Sequence, residues 1–91
     1  MSGSISHDLL SRELGRLSSQ IGAQEKALAS GSAAEVVVAA GELAELRQRT
    51  EAIQERLRQF EQAGGTEHAM RIGIELELRD LADAFERWLD R

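Results

Sequence analysis

The sequence predicts an all-α chain folded as an antiparallel, up-down-up three-helix bundle with coiled-coil-like heptad packing and a tendency to self-associate. Three observations carry that prediction. Thirteen alanines, twelve leucines, twelve glutamates and ten arginines are residues that lose little on entering a helix, while proline and tyrosine are absent and threonine occurs only twice. Gly31 and the pair Gly64-Gly65 divide the 91 residues into three segments of similar length. Each segment carries an apolar stripe at helical spacing.

The first helix is expected near 6–29, with residues 1–5 as a flexible start. Ser6 is placed to cap it, Asp8 lies in its first turn, and Ile5 can staple onto Leu10. Leu10, Leu14, Leu17, Ile21, Gln24 and Leu28 then step by four and three, a heptad seam. The second helix is expected near 33–62. Ser32-Ala33-Ala34-Glu35 reads as a capping box, in which the Ser side chain accepts from an amide three residues on and the Glu returns to the cap amide. Val36, Ala39, Leu43, Leu46, Thr50, Ile53, Leu57 and Phe60 form its seam. The third helix is expected near 67–90, with Thr66 as cap and Glu67 favoured at the positive end of the helix dipole. Met70, Ile74, Leu78, Leu81, Phe85 and Trp88 make its stripe.

Residues Arg71 to Leu78 also admit a strand reading, because Ile72, Ile74, Leu76 and Leu78 alternate at period two. Helix is preferred, since a lone strand would have no partner within the chain. Short connections make consecutive helices antiparallel. Residues whose numbers total about 62 should face each other across the first turn and about 129 across the second. This register sets Leu17 near Leu46, Phe60 near Met70, and the Trp88 indole over a hollow at Gly41 and Ala44. Asp8 with Arg12, Glu45 with Arg49, Glu75 with Arg79 and Asp83 with Arg87 have the spacing of local ion pairs, each adding about 0.2 to 0.5 kcal/mol on a solvated face.

Charge and composition exclude several functions. Sixteen acidic against eleven basic side chains give a net charge of −5, which opposes general binding to phosphate or to an anionic membrane. Without cysteine there is neither a disulfide nor a thiolate metal site. The longest apolar run, Val36 to Ala40, is far short of a membrane span, and the N-terminal residues do not read as a signal peptide, so a cytoplasmic protein is expected. Neither His7 nor His68 has a Glu three residues before it, as carboxylate-bridged metal sites in bundles require. Gly64-Gly65-Thr66 lacks the strand and lysine of a phosphate loop. No catalytic residue, metal or cofactor is expected, and the chain is not expected to be an enzyme.

Two features exceed what an isolated bundle needs, a second apolar face on the third helix and the segment Ala33 to Ala44, apolar nearly all round but for Glu35 and Glu42, and two more suit either core packing or an interface. Ile72 and Leu76 lie opposite the Ile74 and Leu78 stripe, giving the third helix a second apolar face. On the first helix Ser11, Gly15, Ser18 and Gly22 form a small-residue face, suited to close approach by a partner helix or by the third helix of the same bundle. Phe85, Trp88 and Leu89 cluster at the end of the third helix, and Trp is a frequent interface anchor. The candidate interface residues are therefore Ile72, Leu76, Phe85, Trp88, Leu89, Gly15 and Gly22. They point to a non-catalytic helical interaction module, serving as adaptor, small chaperone or structural subunit, whose partners are itself and another protein. The alternative is a dimeric nucleic-acid-binding regulator using Arg47, Arg49, Arg56 and Arg58 of the second helix. These arginines are interleaved with glutamates and carry no stacking aromatic among them, so a self-paired solvated face is the plainer expectation. A third possibility is a bundle that holds a small apolar ligand or a metal between its helices.

Overall fold

A computed structural model of the chain describes residues 2–29 and 34–90, with the side chains of residues 2–7 and 34 left undescribed. It contains three α-helices, α1 (Ser2–Ala29), α2 (Ala34–Gln62) and α3 (His68–Leu89), and no strand among the described residues. Arg71 to Leu78 is helical. The period-two pattern there gives way to the period of 3.6, which buries Ile74, Leu78, Leu81 and Phe85 on one stripe.

One core unites the three helices. Leu10, Leu14, Leu17 and Ile21 of α1 meet Leu43, Leu46, Ile53, Leu57 and Phe60 of α2 and the α3 stripe. Leu28, Met70 and Trp88, at helix ends, pack against this core while only partly buried. Thr50 is the one polar side chain buried among the described residues. Its hydroxyl donates to the carbonyl of Leu46, one turn back on the same helix, at 2.9 Å. The polar seam position is thus satisfied within α2 and reaches no neighbouring helix.

The helices contribute unequally. α2 lies between the other two and touches both far more extensively than α1 and α3 touch each other. At 28, 29 and 22 residues, α1 and α2 run about 42 to 44 Å and α3 about 33 Å at 1.5 Å per residue. The bundle measures 49 × 18 × 16 Å.

The connection from α2 to α3 is a Schellman turn. The Gly65 amide donates to the Phe60 carbonyl at 2.8 Å and the Gly64 amide to the Glu61 carbonyl at 3.0 Å, which satisfies two carbonyls that the helix end would leave open. Gly64 has φ +102° and Gly65 φ +67°, conformations that side-chain-bearing residues resist.

Helix starts depart from expectation. α1 begins at Ser2 rather than near Ser6, so Ser6 lies inside the helix and is not its cap. The capping box at Ser32 to Glu35 falls largely outside the described residues. At α3, Glu67 rather than Thr66 is the cap residue, with φ −73° and ψ 110°. Its carbonyl accepts the first helical bond, from the Arg71 amide at 3.1 Å, but its side chain makes no capping bond. A Glu side chain is one methylene longer than the preferred Asp.

Candidate functional site

The sequence-selected residues separate into core and surface. Phe85 is only 4% exposed and belongs to the core. It sits on the inner stripe of α3 and reaches the surface only at the floor of a cleft between α1 and α3. Trp88, partly buried, stacks beside it with ring centroids 6.0 Å apart and planes 9° from parallel. The indole N–H donates to the Ala39 carbonyl at 3.1 Å, joining the last turn of α3 to the first turns of α2. The expected hollow at Gly41 is not where the indole bonds, and a Cβ on Gly41 would meet nothing within 4 Å. Leu89, by contrast, is 48% exposed.

Ile72 and Leu76 are 39% and 54% exposed. At 100° per residue they lie about 160° and 200° around α3 from Ile74, directly away from the core. Leu9, Val37 and Val38 are further large apolar side chains in solvent.

Part of the small-residue face of α1, at Ser18 and Gly22, is met by a side chain of α2. Arg47 of α2 crosses to α1, where its guanidinium donates to the Ser18 hydroxyl at 2.7 Å, the Ser18 carbonyl at 3.1 Å and the Glu25 carboxylate at 2.9 Å. Gly22 lies beneath it, and a Cβ there would come within 3.3 Å of the Arg47 terminal nitrogen. Within the chain, an arginine of α2 rather than a residue of α3 is what meets Gly22. The same device recurs on the other side of α2. Arg56 pairs with Glu77 of α3 across Gly73, whose Cβ would lie 3.2 Å from the guanidinium. Gly15 has no such neighbour and is exposed.

These contacts decide how the arginines of α2 are used. Arg47 and Arg56 are committed to Glu25 and Glu77, and Arg58 pairs with Glu55 at 2.6 Å. Binding a phosphate at any of the three would replace a carboxylate already in place. The local pairs also differ from those expected: Glu75 bonds Arg71 at 2.7 Å, not Arg79, and Arg16 pairs with Glu13 at 2.9 Å. Arg71 additionally bonds His68 Nδ1 at 3.1 Å, so that imidazole is held in a surface polar cluster. Cross-helix packing decides these geometries, which sequence spacing alone does not encode.

Among the described residues no group of three or more His, Asp or Glu is placed to hold a metal ion, and no helix is long and apolar enough to cross a membrane. Open clefts line the helix junctions among the described residues. One, of about 380 Å³, lies between α2 and α3 beside Glu42, Glu45 and Arg87. A second, of about 360 Å³, follows the seam of α1 and α3. A third, of about 580 Å³, opens where α3 stops short of the ends of α1 and α2. In comparisons with protein-family models, curated proteins and solved structures, nothing matched this chain.

Proposed function

We propose that this chain is a non-catalytic helical protein-protein interaction module of the cytoplasm, an adaptor, small chaperone or structural subunit of a larger assembly. In this reading its helices form an antiparallel up-down-up bundle with coiled-coil-like seams, and copies of the bundle associate with one another. The antiparallel order is supported by the contacts along α2: as its numbers fall from Arg56 to Ala39, the partners on α3 rise from Glu77 to Trp88.

The observation that carries the reading is the exposure of Ile72 and Leu76 on the side of α3 turned away from its own core. An isolated bundle gains nothing from that placement, because burial of a leucine or isoleucine side chain contributes about 1.5 to 3 kcal/mol that remains unrealised in solvent. Helix-on-helix packing against a second copy realises it. The nucleic-acid alternative draws no support from arginines already paired with glutamates.

Solution mass by light scattering across a concentration series tests this reading. The wild-type chain is expected to run as a dimer or larger, and Ile72→Asp with Leu76→Asp as a helical monomer. A wild-type monomer at every concentration, or an unchanged mass for the double variant, overturns the assignment of this face.

A further inference from the structure

The geometry points to the seam between α1 and α3 as the seat of a basic amphipathic helix from a partner protein. This inference deepens the reading above and rests on the chain being an interaction module, but not on its self-association.

α1 and α3 are the two helices that barely touch. The cleft along their seam has Leu17, Leu78, Ala82 and Phe85 in its floor and ends at Leu89. Leu89 also lines the larger cleft beyond, together with Leu28, Val36, Ala39 and Trp88. The two clefts therefore form one continuous path, with an apolar floor and polar sides, that turns around the end of α3. It stays open there because α3 stops at Leu89 while α2 begins at Ala34. From Glu13 to Leu28, both on the path, α1 advances about 22 Å, the length of a four-turn helix.

Charge selects the occupant. Among the described residues the rims carry Glu13, Glu35 and Glu86 against one base, Arg16, which is already paired with Glu13. Among the described residues neither Glu35 nor Glu86 is in an ion pair. The remaining polar rim residues, Gln20 and Gln24, are neutral. A second copy answers this poorly, since none of the chain's own helices carries net positive charge. Acidic against basic residues number three to three in α1, six to four in α2 and five to three in α3. A helix with an apolar stripe flanked by Lys or Arg meets both the floor and the rim.

The test uses two synthetic amphipathic peptides without tryptophan that share a leucine stripe, one flanked by lysines and the other by glutamates. They are titrated into the full chain and into the Ile72→Asp, Leu76→Asp variant, following emission of Trp88, the chain's single tryptophan. The lysine peptide is expected to bind both proteins, to shift the emission, and to weaken as salt is raised. Leu89→Asp, a surface change at the last residue of α3, should weaken it about tenfold with helicity unchanged. Glu35→Lys with Glu86→Lys should transfer the preference to the glutamate peptide. Equal binding of both peptides, no binding of the lysine peptide, or indifference to Leu89→Asp each overturns the inference. A wild-type solution mass that drops on Leu89→Asp overturns it too, by showing that a second copy occupies the path. Peptide binding by a chain that proves monomeric removes only the self-association reading.

Discussion

Two glycines on one helix face offer a direct test of the arginine clamp. Gly15 and Gly22 both sit inside α1 with ordinary negative φ, and replacing an interior helical glycine by alanine gains about 0.8 to 1 kcal/mol. A Cβ at Gly15 meets nothing within 4 Å, so Gly15→Ala should realise the whole gain. For a domain of this size that is a rise in Tm of about 4 to 8 °C. At Gly22 the new Cβ would stand 3.3 Å from the Arg47 terminal nitrogen, and the guanidinium must lift. Lifting it loosens the bonds to Ser18 and Glu25, a charge-assisted set that partial exposure of both partners reduces to about 0.5 to 1 kcal/mol. Gly22→Ala should therefore be close to neutral. In an Arg47→Met background nothing remains to be displaced, and Gly22→Ala should recover the gain seen at Gly15. Urea denaturation followed by helical circular dichroism at one fixed protein concentration reads all five proteins, the wild type and the four variants. The reasoning fails if Gly22→Ala stabilises wild type as much as Gly15→Ala does, or if the Arg47→Met background leaves its effect unchanged.

Other substitutions follow from the same geometry. Thr50→Val should fall within about 0.5 kcal/mol of wild type or stabilise it, because the lost hydroxyl bonds only a carbonyl of its own helix; a loss above about 2 kcal/mol in urea melts would show a partner for that hydroxyl beyond Leu46. Glu67→Asp should raise stability by about 0.5 to 1 kcal/mol by supplying the side-chain cap α3 lacks, measured as an upward shift of the thermal midpoint. Gly64→Ala should cost about 1 to 2 kcal/mol, since φ +102° is closed to a side-chain-bearing residue, and an unchanged midpoint would contradict the Schellman geometry.

What was legible in the sequence is what depends on period. The leucines and isoleucines at steps of three and four in each segment are the residues now found in the core, because a helix repeats every 3.6 residues wherever it lies. Val36 and Ala39 continue the α2 seam in sequence yet are only half-buried, since α3 reaches this end with no more than its last turn, through Trp88. The positions of Ile72 and Leu76 followed from the same periodicity. Helix starts were harder to read. Ser6 and Thr66 carry capping chemistry, and whether each falls at a helix start turns on a few backbone dihedrals that the pattern does not specify. The arginine clamps were not legible at all. Arg47 looks like a member of a mixed surface run until α1 is folded beside it. The one hint was a pair of interior glycines in α1 that helix propensity alone does not justify.

The uneven sharing of contacts, with α2 touching both neighbours and α1 and α3 scarcely meeting, also shapes how the fold opens and closes. The molecule amounts to two helix pairs overlapping in one shared strut. Each closes through contacts near in sequence, the low-contact-order regime in which domains fold in microseconds to milliseconds. Either outer helix can swing away without breaking the other pair, so amide exchange should be slowest in the middle of α2 and faster in both outer helices. A newcomer that parts α1 from α3 breaks the fewest contacts and leaves both outer helices held to the strut, which makes the bundle's least cohesive junction the natural place for it to be entered.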